Sequence, residues 1–414
     1  MQNCDKISHK RPWHFVELTV FSPERRCFQL KKIKPYIKTF FQRADVFLLV
    51  VCLICAIISV YAVRHTTLDL AAANVTNISS PAKMVFVQIF SIFLGIAAFV
   101  VFTVIDSDIL GEQWRWLLVL IGVLLVALMV FGSEDDTGNK SWIRFLGIGI
   151  QPSEIIKILY IIISAKLMTH LKEHRDMNAF FSVVEMAALF GIVFVGIMVV
   201  SSDLGNAVIL LAIFLVMFFA LGVRLYWFAI GGAAVAAMIP LIWNYVLKDY
   251  QKQRLLVPYD KSIDPDGWGI SWQSTQSKQA LASGRLSGVE AGHSPAIFTG
   301  KHTDFIFASI GEMWGMIGCM LVILLLMIII VHCFRVGFKA GRTYDMLICV
   351  GVGTAIAFQT FINIGMCIGI TPVIGIALPF FSYGGSSMAT LFAAMGLVSG
   401  VKFKLKPQHF SMLY

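Results

Sequence analysis

Residues 300–334 read GKHTDFIFASIGEMWGMIGCMLVILLLMIIIVHCF. A polar segment that ends in Asp304 leads directly into a long, mostly apolar run. An α-helix needs about 20 apolar residues to cross the hydrocarbon core of a bilayer, so this run predicts a membrane span. The sequence therefore places a carboxylate at the point where a span begins.

The composition extends this prediction to the whole chain. Of 414 residues, 58% are hydrophobic and 14% are charged, and the mean hydropathy is +0.80. These values exceed what a soluble protein of this length shows. The net charge of +9 does not indicate a nucleic-acid partner, because the lysines and arginines flank apolar runs instead of interleaving with aromatic residues. Membrane lipid is the predicted partner of these charges.

The predicted fold is an all-α polytopic membrane protein with about ten transmembrane helices. A long extracytoplasmic loop, residues 246–304, separates helices 7 and 8. The domain prediction is a basic cytoplasmic segment at 1–45, a membrane domain at 46–401 and a cytoplasmic tail at 402–414. The predicted spans are 46–63, 84–105, 114–132, 153–169, 181–200, 205–222, 225–246, 305–334, 345–370 and 374–401.

The orientation follows from the excess of lysine and arginine in cytoplasmic loops. With both termini in the cytoplasm, the short outer loops hold only Arg64, Lys83, Lys140 and Arg144. The inner segments hold ten basic residues within 1–45, and Arg115, Lys166, Lys172, Arg175, Arg224, Arg335, Lys339, Arg342, Lys402, Lys404 and Lys406. This orientation gathers several unusual polar residues on the outer face.

The fourth span contributes Glu154 and Lys157, three residues apart after Pro152. They share one helical face, and the glutamate is nearer the N-terminus, as the helix dipole prefers. Two interpretations remain open: a mutually neutralising pair, or charges that serve a cavity.

The fifth span ends at Asp203, which is interpreted either as a cap of the next helix or as a site residue. In the long loop, residues 271–283 predict a polar helix that ends at Gly284, with Trp268 and Trp272 as interfacial anchors. Gln276, Ser277 and Arg285 then form part of a hydrogen-bonding face, suited to sugars or phosphate or simply solvated.

Asp304 also has two interpretations. With Thr303 as the cap it would lie in the first turn of span eight, where the helix dipole stabilises a carboxylate. Its neighbours Lys301, His302 and Glu312 favour a site in which the aspartate accepts a proton from a bound hydroxyl.

The segment before the last span is interrupted by Pro372, Pro379 and the run Gly384-Gly385-Ser386-Ser387. Such interruptions permit broken helices that line a cavity. Tight helix packing and a phosphate-binding role for Ser386 are both left open.

Four ordered motifs, QPSEIIK (151–157), DLGNA (203–207), HTDFIFASIGE (302–312) and LPFFSYGGSSM (378–388), resemble the SEDS family. This is the shape, elongation, division and sporulation family of bacterial cell-wall polymerases. The likeness covers residues 46–401 and is nearest to the rod-shape, RodA-like branch. The chain departs from the family pattern at Ser141, at residues 298–301, at Glu290 and at Met313.

The resemblance implies a peptidoglycan glycosyltransferase that polymerises lipid II at the outer face of the bacterial cytoplasmic membrane. Asp304 matches the essential loop aspartate and is expected to act as a general base, while undecaprenyl pyrophosphate leaves. Glu154, Lys157 and Asp203 match further family positions. The cations expected to offset the pyrophosphate charge are Lys157, Arg254, Lys301 and Arg285.

The same resemblance implies a class B penicillin-binding protein as partner. It defines no certain cofactor, and a requirement for a divalent cation, Mg or Mn, is left open. Two other functions stay in view: a flippase or transporter of the lipid-linked precursor, and a non-catalytic scaffold for the penicillin-binding protein. A transporter predicts polar residues near the bilayer midplane, whereas here they gather at the outer end.

Overall fold

The computed structural model describes residues 40–73, 80–134, 140–145, 148–247, 249–289, 296 and 298–405. The chain divides into two compact units after Arg43, and the helices and strands from Val46 onward lie in the unit that begins at Ala44. Most of the predicted basic segment, Glu290 and most of the predicted C-terminal tail lie outside the described residues.

Helices dominate the described residues, and many of them are long. In chain order they are α1 Val46–Ala72, α2 Pro81–Val104, α3 Ser107–Glu112, α4 Trp114–Phe131, α5 Pro152–His174, α6 Phe180–Ser201, α7 Leu204–Leu221, α8 Leu225–Leu241, α9 Asp249–Leu256, α10 Trp272–Ser283, α11 Ile306–Lys339, α12 Thr343–Ile368 and α13 Gly385–Leu405. A π turn, Ile242–Val246, follows α8, and a 3₁₀ turn, Lys261–Ile263, follows α9.

Nine helices in the described part of the chain are long and apolar enough to cross a membrane. The remaining predicted span is α5, whose 23 residues are long enough but carry Glu154, Lys157 and Lys166. Its side chains are largely buried against other helices, which is where a span with charged residues is tolerated. The prediction of an all-α polytopic membrane protein is confirmed.

One local expectation was wrong, and one local feature was not predicted. The last span begins at Gly385 and not at residue 374, because Pro372, Gly375 at φ 70° and Pro379 keep the preceding segment out of a helix. A small antiparallel sheet was not predicted between α4 and α5. Its strands, in spatial order, are β1 Gly132–Glu134, β2 Lys140–Phe145 and β3 Ile148–Ile150.

The polar helix predicted in the long loop is confirmed as α10, which ends at Gly284. It buries Ser274, Gln276, Ser277 and Ala280 and packs against α11 and α12. The Ser277 hydroxyl donates to the carbonyl of Cys367 at 2.9 Å. Contacts within the protein therefore hold α10, and the interfacial anchoring by Trp268 and Trp272 stays a prediction.

Helix α11 is broken at Gly315, which has φ 63° and ψ −157°. The segment after α10 fills the break: the Met316 N–H donates to the Arg285 carbonyl at 2.9 Å, and the Val289 N–H donates to the Glu312 carbonyl at 2.9 Å. These bonds satisfy backbone groups that the break removes from the helical ladder. The long loop is thus joined to α11 just beyond the Asp304 turn.

Candidate active site

Asp304 lies in a tight turn, residues 300–305, that precedes α11. The N–H groups of Thr303 and Phe305 both donate to the Gly300 carbonyl at 3.1 Å. The N-cap of α11 is Phe305, whose side chain makes no capping hydrogen bond. The expectation that Thr303 caps the helix, with Asp304 in its first turn, was therefore wrong, because the chain stays in a turn until Phe305.

The backbone of this turn is held by side chains from two other segments. The Asn363 amide of α12, fully buried, donates to the Asp304 carbonyl at 2.6 Å and to the Ile376 carbonyl at 2.7 Å. The Ser382 hydroxyl donates to the Thr303 carbonyl at 2.7 Å. A Cβ at Gly375 would lie 3.7 Å from Asp304 Oδ2, so the carboxylate sits beside the backbone of the interrupted segment.

Asn363 was not among the predicted site residues, although a signal was present. It is an amide inside the apolar run of residues 345–370, where a polar side chain is costly unless it has partners. The same holds for Gln359, one helical turn earlier on α12.

Glu154 and Lys157 form the predicted ion pair, with Lys157 Nζ 2.8 Å from Glu154 Oε1. Both side chains are buried, and Gln359 donates to Glu154 Oε1 at 3.2 Å. The pair lines a small cavity between α5, α12 and α13 that Ile356, Thr390 and Ala394 also line. The neutralising pair is therefore present, and the interpretation that its charges serve the cavity they line stays a prediction.

Asp203 is the N-cap of α7, as one interpretation predicted. Its Oδ1 accepts from the Asn206 N–H at 3.0 Å, and its Oδ2 accepts from the Asn206 amide at 2.7 Å. The Asn206 amide also donates to the Ser153 hydroxyl at 3.0 Å, which ties α7 to the start of α5. Ser386 ties α13 to the same point, since its hydroxyl accepts from the Gln151 N–H at 3.0 Å.

His302 lies beside Tyr383, with ring centroids 5.8 Å apart. Its Nδ1 is buried and has no hydrogen-bond partner among the described residues. Burial lowers the pKa of His302 to about 4, so the ring is neutral at pH 7. A neutral imidazole next to Asp304 in sequence offers no positive charge to a phosphate.

Lys301 is fully buried and paired with Glu312, with Nζ 2.5 Å from Oε2. Its Nζ also donates to the Ala296 carbonyl at 2.8 Å. The charges of Lys301 and Lys157 are thus each matched by a buried glutamate, and the expectation that they offset a pyrophosphate stays a prediction. Of the other two cations predicted to offset the pyrophosphate charge, Arg254 is half-buried on α9 and Arg285 is exposed after α10.

The predicted sugar-binding face of α10 is divided by the fold. Gln276 and Ser277 are buried toward α11 and α12, whereas Lys278 is exposed. Lys278 lies against Gly369, where α12 ends, so a cation stands at a helix C-terminus near the Asp304 turn. The structure brings Asp304, Lys301 and His302 into one turn, with Glu154, Lys157, Asp203 and Ser386 clustered at the start of α5.

The amino-acid sequence of the chain is similar to those of known proteins. The model of the FtsW/RodA/SpoVE cell cycle protein family matches residues 45–406. The peptidoglycan glycosyltransferase MrdB of Escherichia coli K12 is 31% identical over 322 residues, which cover 76% of this chain and 84% of MrdB. Stage V sporulation protein E of Bacillus subtilis is 31% identical over 323 residues, covering 75% of this chain and 85% of that protein.

Solved structures share the fold. A chain of a peptidoglycan synthase complex that coordinates polymerization and crosslinking matches with a TM-score of 0.71 and 24% identity, covering 87% of this chain and 97% of its own. The rod shape determining protein RodA of Thermus thermophilus matches with a TM-score of 0.62 and 22% identity, covering 87% and 96%. The resemblance to the SEDS family and its rod-shape branch is confirmed, and the chain belongs to the FtsW/RodA/SpoVE family of cell cycle proteins.

Proposed function

We propose that this chain is a peptidoglycan glycosyltransferase that polymerises lipid II, with Asp304 as its general base. One observation carries the proposal: the turn that holds Asp304 precedes α11 and is clamped by Asn363 and Ser382 next to the interrupted segment. The Asn363 amide and the Ser382 hydroxyl both fix this one turn, and this supports the idea that its carboxylate must be held in a defined position. Relatives named peptidoglycan glycosyltransferases support the same reaction.

In the proposed reaction, the Asp304 carboxylate removes the proton from the 4-hydroxyl of an N-acetylglucosamine at the acceptor end. The resulting oxygen attacks the anomeric carbon of the donor, and a new glycosidic C–O bond forms. The bond from that carbon to the pyrophosphate oxygen breaks, and undecaprenyl pyrophosphate leaves with the electron pair. A single base and a stabilised leaving group are sufficient for such a displacement.

The groups that would stabilise the leaving pyrophosphate are assigned by exposure. Arg285 and Lys278 are exposed cations: Arg285 lies beside the break in α11, and Lys278 lies against Gly369 at the end of α12. Arg254 on α9 is a further candidate. No three His, Cys, Asp or Glu side chains of the described residues lie together as a metal site, so Mg and Mn are best varied as separate conditions in the assay.

The proposed orientation puts both termini in the cytoplasm and Asp304 at the outer end of the helices, in keeping with the distribution of lysine and arginine. A class B penicillin-binding protein is the proposed partner, since a similar chain belongs to a peptidoglycan synthase complex. The exposed apolar side chains of α11, including Met316, Ile317 and Met320, offer it a surface within the membrane.

The test is lipid II polymerisation by the purified chain, with and without the partner, in wild type and Asp304→Ala. The expected result is loss of glycan strands with unchanged folding and abundance. Asp249→Ala is the matched control, because Asp249 is a 94% exposed carboxylate of the same loop and should leave the yield unchanged. Wild-type yield from Asp304→Ala would remove Asp304 from the mechanism.

Two other functions are outcomes of related tests. Precursor translocation in reconstituted vesicles that is insensitive to Asp304→Ala would favour a flippase. Normal wall synthesis by Asp304→Ala in a depleted strain would favour a scaffold. Cysteine labelling at position 304 from the cytoplasmic side alone would contradict the proposed orientation.

A further inference from the structure

The long loop presents a stacked pair of indoles that the proposed catalytic groups do not use. The rings of Trp268 and Trp272 lie 4.7 Å apart at an angle of 19°. Trp268 is 75% exposed, which is unusual for a side chain of this size. One face of the Trp268 ring is covered by Trp272, and the exposure of the residue leaves other ring surface accessible.

A network of hydrogen bonds holds this pair in place. The Asp264 carboxylate oxygen Oδ2 accepts from the Gly269 N–H at 3.0 Å, from the Ser271 N–H at 2.9 Å and from the Ser271 hydroxyl at 2.7 Å. Gly267, with φ 69°, brings the turn back toward Thr275 of α10. Hydrogen bonds within the turn, and not burial, therefore fix the position of Trp268. Because the turn is already ordered, a ligand that stacks on this ring loses little free energy to ordering it.

The chemistry around the pair selects among ligands. Asp260, Asp264 and Asp266 against a single Lys261 make the turn acidic, which disfavours anionic headgroups and phosphates. An indole face carries negative charge density and attracts the partially positive C–H groups of an uncharged ring that lies over it. Sugar rings present such C–H faces, and their hydroxyl and acetamido groups can bond to the neighbouring polar side chains.

We propose that Trp268 and Trp272 form a stacking subsite for the N-acetylhexosamine rings of a glycan strand. This inference rests on the proposed function, because it assigns the subsite to the polymer that Asp304 would extend. It accounts for a stacked indole pair, with Trp268 exposed, on a polar, acidic turn.

The subsite lies within reach of the Asp304 turn. Ser274 and Lys278, on the first turns of α10, contact Gly369 at the end of α12. Asn363, six residues earlier on α12, holds Asp304. With 1.5 Å per residue along each helix, this path gives a separation on the order of 20 Å, a distance that a strand of a few sugars spans.

The first experiment measures binding of soluble N-acetylhexosamine oligomers to the full chain in detergent, by titration calorimetry or saturation-transfer NMR. We expect Trp268→Ala to weaken binding about tenfold, or about 1.4 kcal/mol, and Trp268→Phe to restore part of it. Tyr259→Ala is the matched control, since Tyr259 is a 72% exposed aromatic residue of the same loop outside the stacked pair. Wild-type binding by Trp268→Ala would overturn the proposal.

The same titration in Asp304→Ala separates the subsite from catalysis. Binding that survives in Asp304→Ala supports a subsite that is independent of the proposed base. A wild-type chain that binds the oligomers but makes no polymer from lipid II would contradict the proposed function and leave the subsite standing. A second measurement compares product lengths, and we expect Trp268→Ala to shift the strands toward shorter products. Quenching of Trp268 fluorescence by brominated lipids, judged against Trp268→Phe, would instead identify a membrane anchor and overturn the subsite.

Discussion

Gln359 and Asn363 lie four residues apart on α12 and contact two different parts of the candidate site. Gln359 donates to Glu154 at 3.2 Å, and Asn363 donates to the Asp304 carbonyl at 2.6 Å. Four residues correspond to a rise of about 6 Å, so the buried ion pair lies about one turn from the level of the aspartate turn. One rigid helix therefore sets the spacing between the ion pair and the proposed base.

Asn363→Leu should disrupt the site while keeping a side chain of similar size. The Asp304 and Ile376 carbonyls would each lose a buried donor, at about 1–3 kcal/mol per group. We expect a lower unfolding temperature and a loss of at least tenfold in kcat for lipid II polymerisation.

Thr354→Val is the control for Asn363→Leu. Thr354 is also buried on α12, but its hydroxyl bonds only to the Val350 carbonyl of the same helix. This variant should polymerise at the wild-type rate. A wild-type rate in Asn363→Leu would show that the clamp does not position Asp304.

The Glu154–Lys157 pair should respond differently to single and double substitution. Lys157→Met leaves a buried glutamate without its cation and should destabilise the fold by about 3–5 kcal/mol. Glu154→Gln combined with Lys157→Met removes both charges and should recover most of that stability. Thermal unfolding of the wild type, Lys157→Met, Glu154→Gln and the double variant in nanodiscs gives the coupling energy.

Activity in the double variant then distinguishes the two interpretations of the pair. A stable double variant that polymerises lipid II normally would mean that the pair serves packing alone. A stable variant with little activity would assign its charges to the cavity that they line.

The sequence predicted the helices well because long apolar runs report directly on membrane insertion. It also placed α10 and the Asp203 cap, since both depend on local features: a polar helical stretch ended by glycine, and an aspartate before a helix. Motif order then identified the family.

The long-range pairings were not predictable in this way. Lys301 precedes Asp304 in an exposed-looking loop, but it folds inward onto Glu312, and nothing in the local sequence reports that contact. Asn363 and Ser382 act on a turn that is distant from them along the chain. The break in α11 could not be predicted without knowing which segment packs at Gly315.

The buried position of Lys301 predicts a structural role. Lys301→Met should strongly destabilise the protein, because Glu312 would remain buried and charged. Adding Glu312→Gln should restore stability and polymerisation together. A double variant that is stable but binds lipid II poorly would return Lys301 to the list of pyrophosphate contacts.

His302 predicts a dependence of stability on pH. The pKa of its ring is about 4 in the folded state, below the ordinary value of 6.5 that the unfolded chain retains. Between these values the unfolded state binds a proton that the folded state excludes, so this contribution to stability is complete above pH 6.5 and is lost as the pH falls toward 4.

The measurement is the unfolding temperature of wild type and His302→Gln from pH 7.5 to 4. The wild type should lose stability more steeply below pH 6.5, while His302→Gln lacks this component. Parallel curves for the two proteins would contradict a lowered pKa at His302.

Gly315→Ala tests whether the long loop is joined to α11 through the helix break. Gly315 adopts φ 63° and ψ −157°, a region that is almost confined to glycine, and a Cβ there would lie 2.3 Å from the Leu286 carbonyl carbon. The variant must either straighten the helix or expel residues 285–289, and both outcomes break the bond from Met316 to Arg285. We expect faster proteolysis of the loop and reduced polymerisation, because α10 and Arg285 lose their anchor. Gly122→Ala is the control, since a Cβ at that helical position meets nothing within 4 Å and alanine favours the helix. Equal protease resistance of Gly315→Ala and Gly122→Ala would show that the loop holds its place without the break.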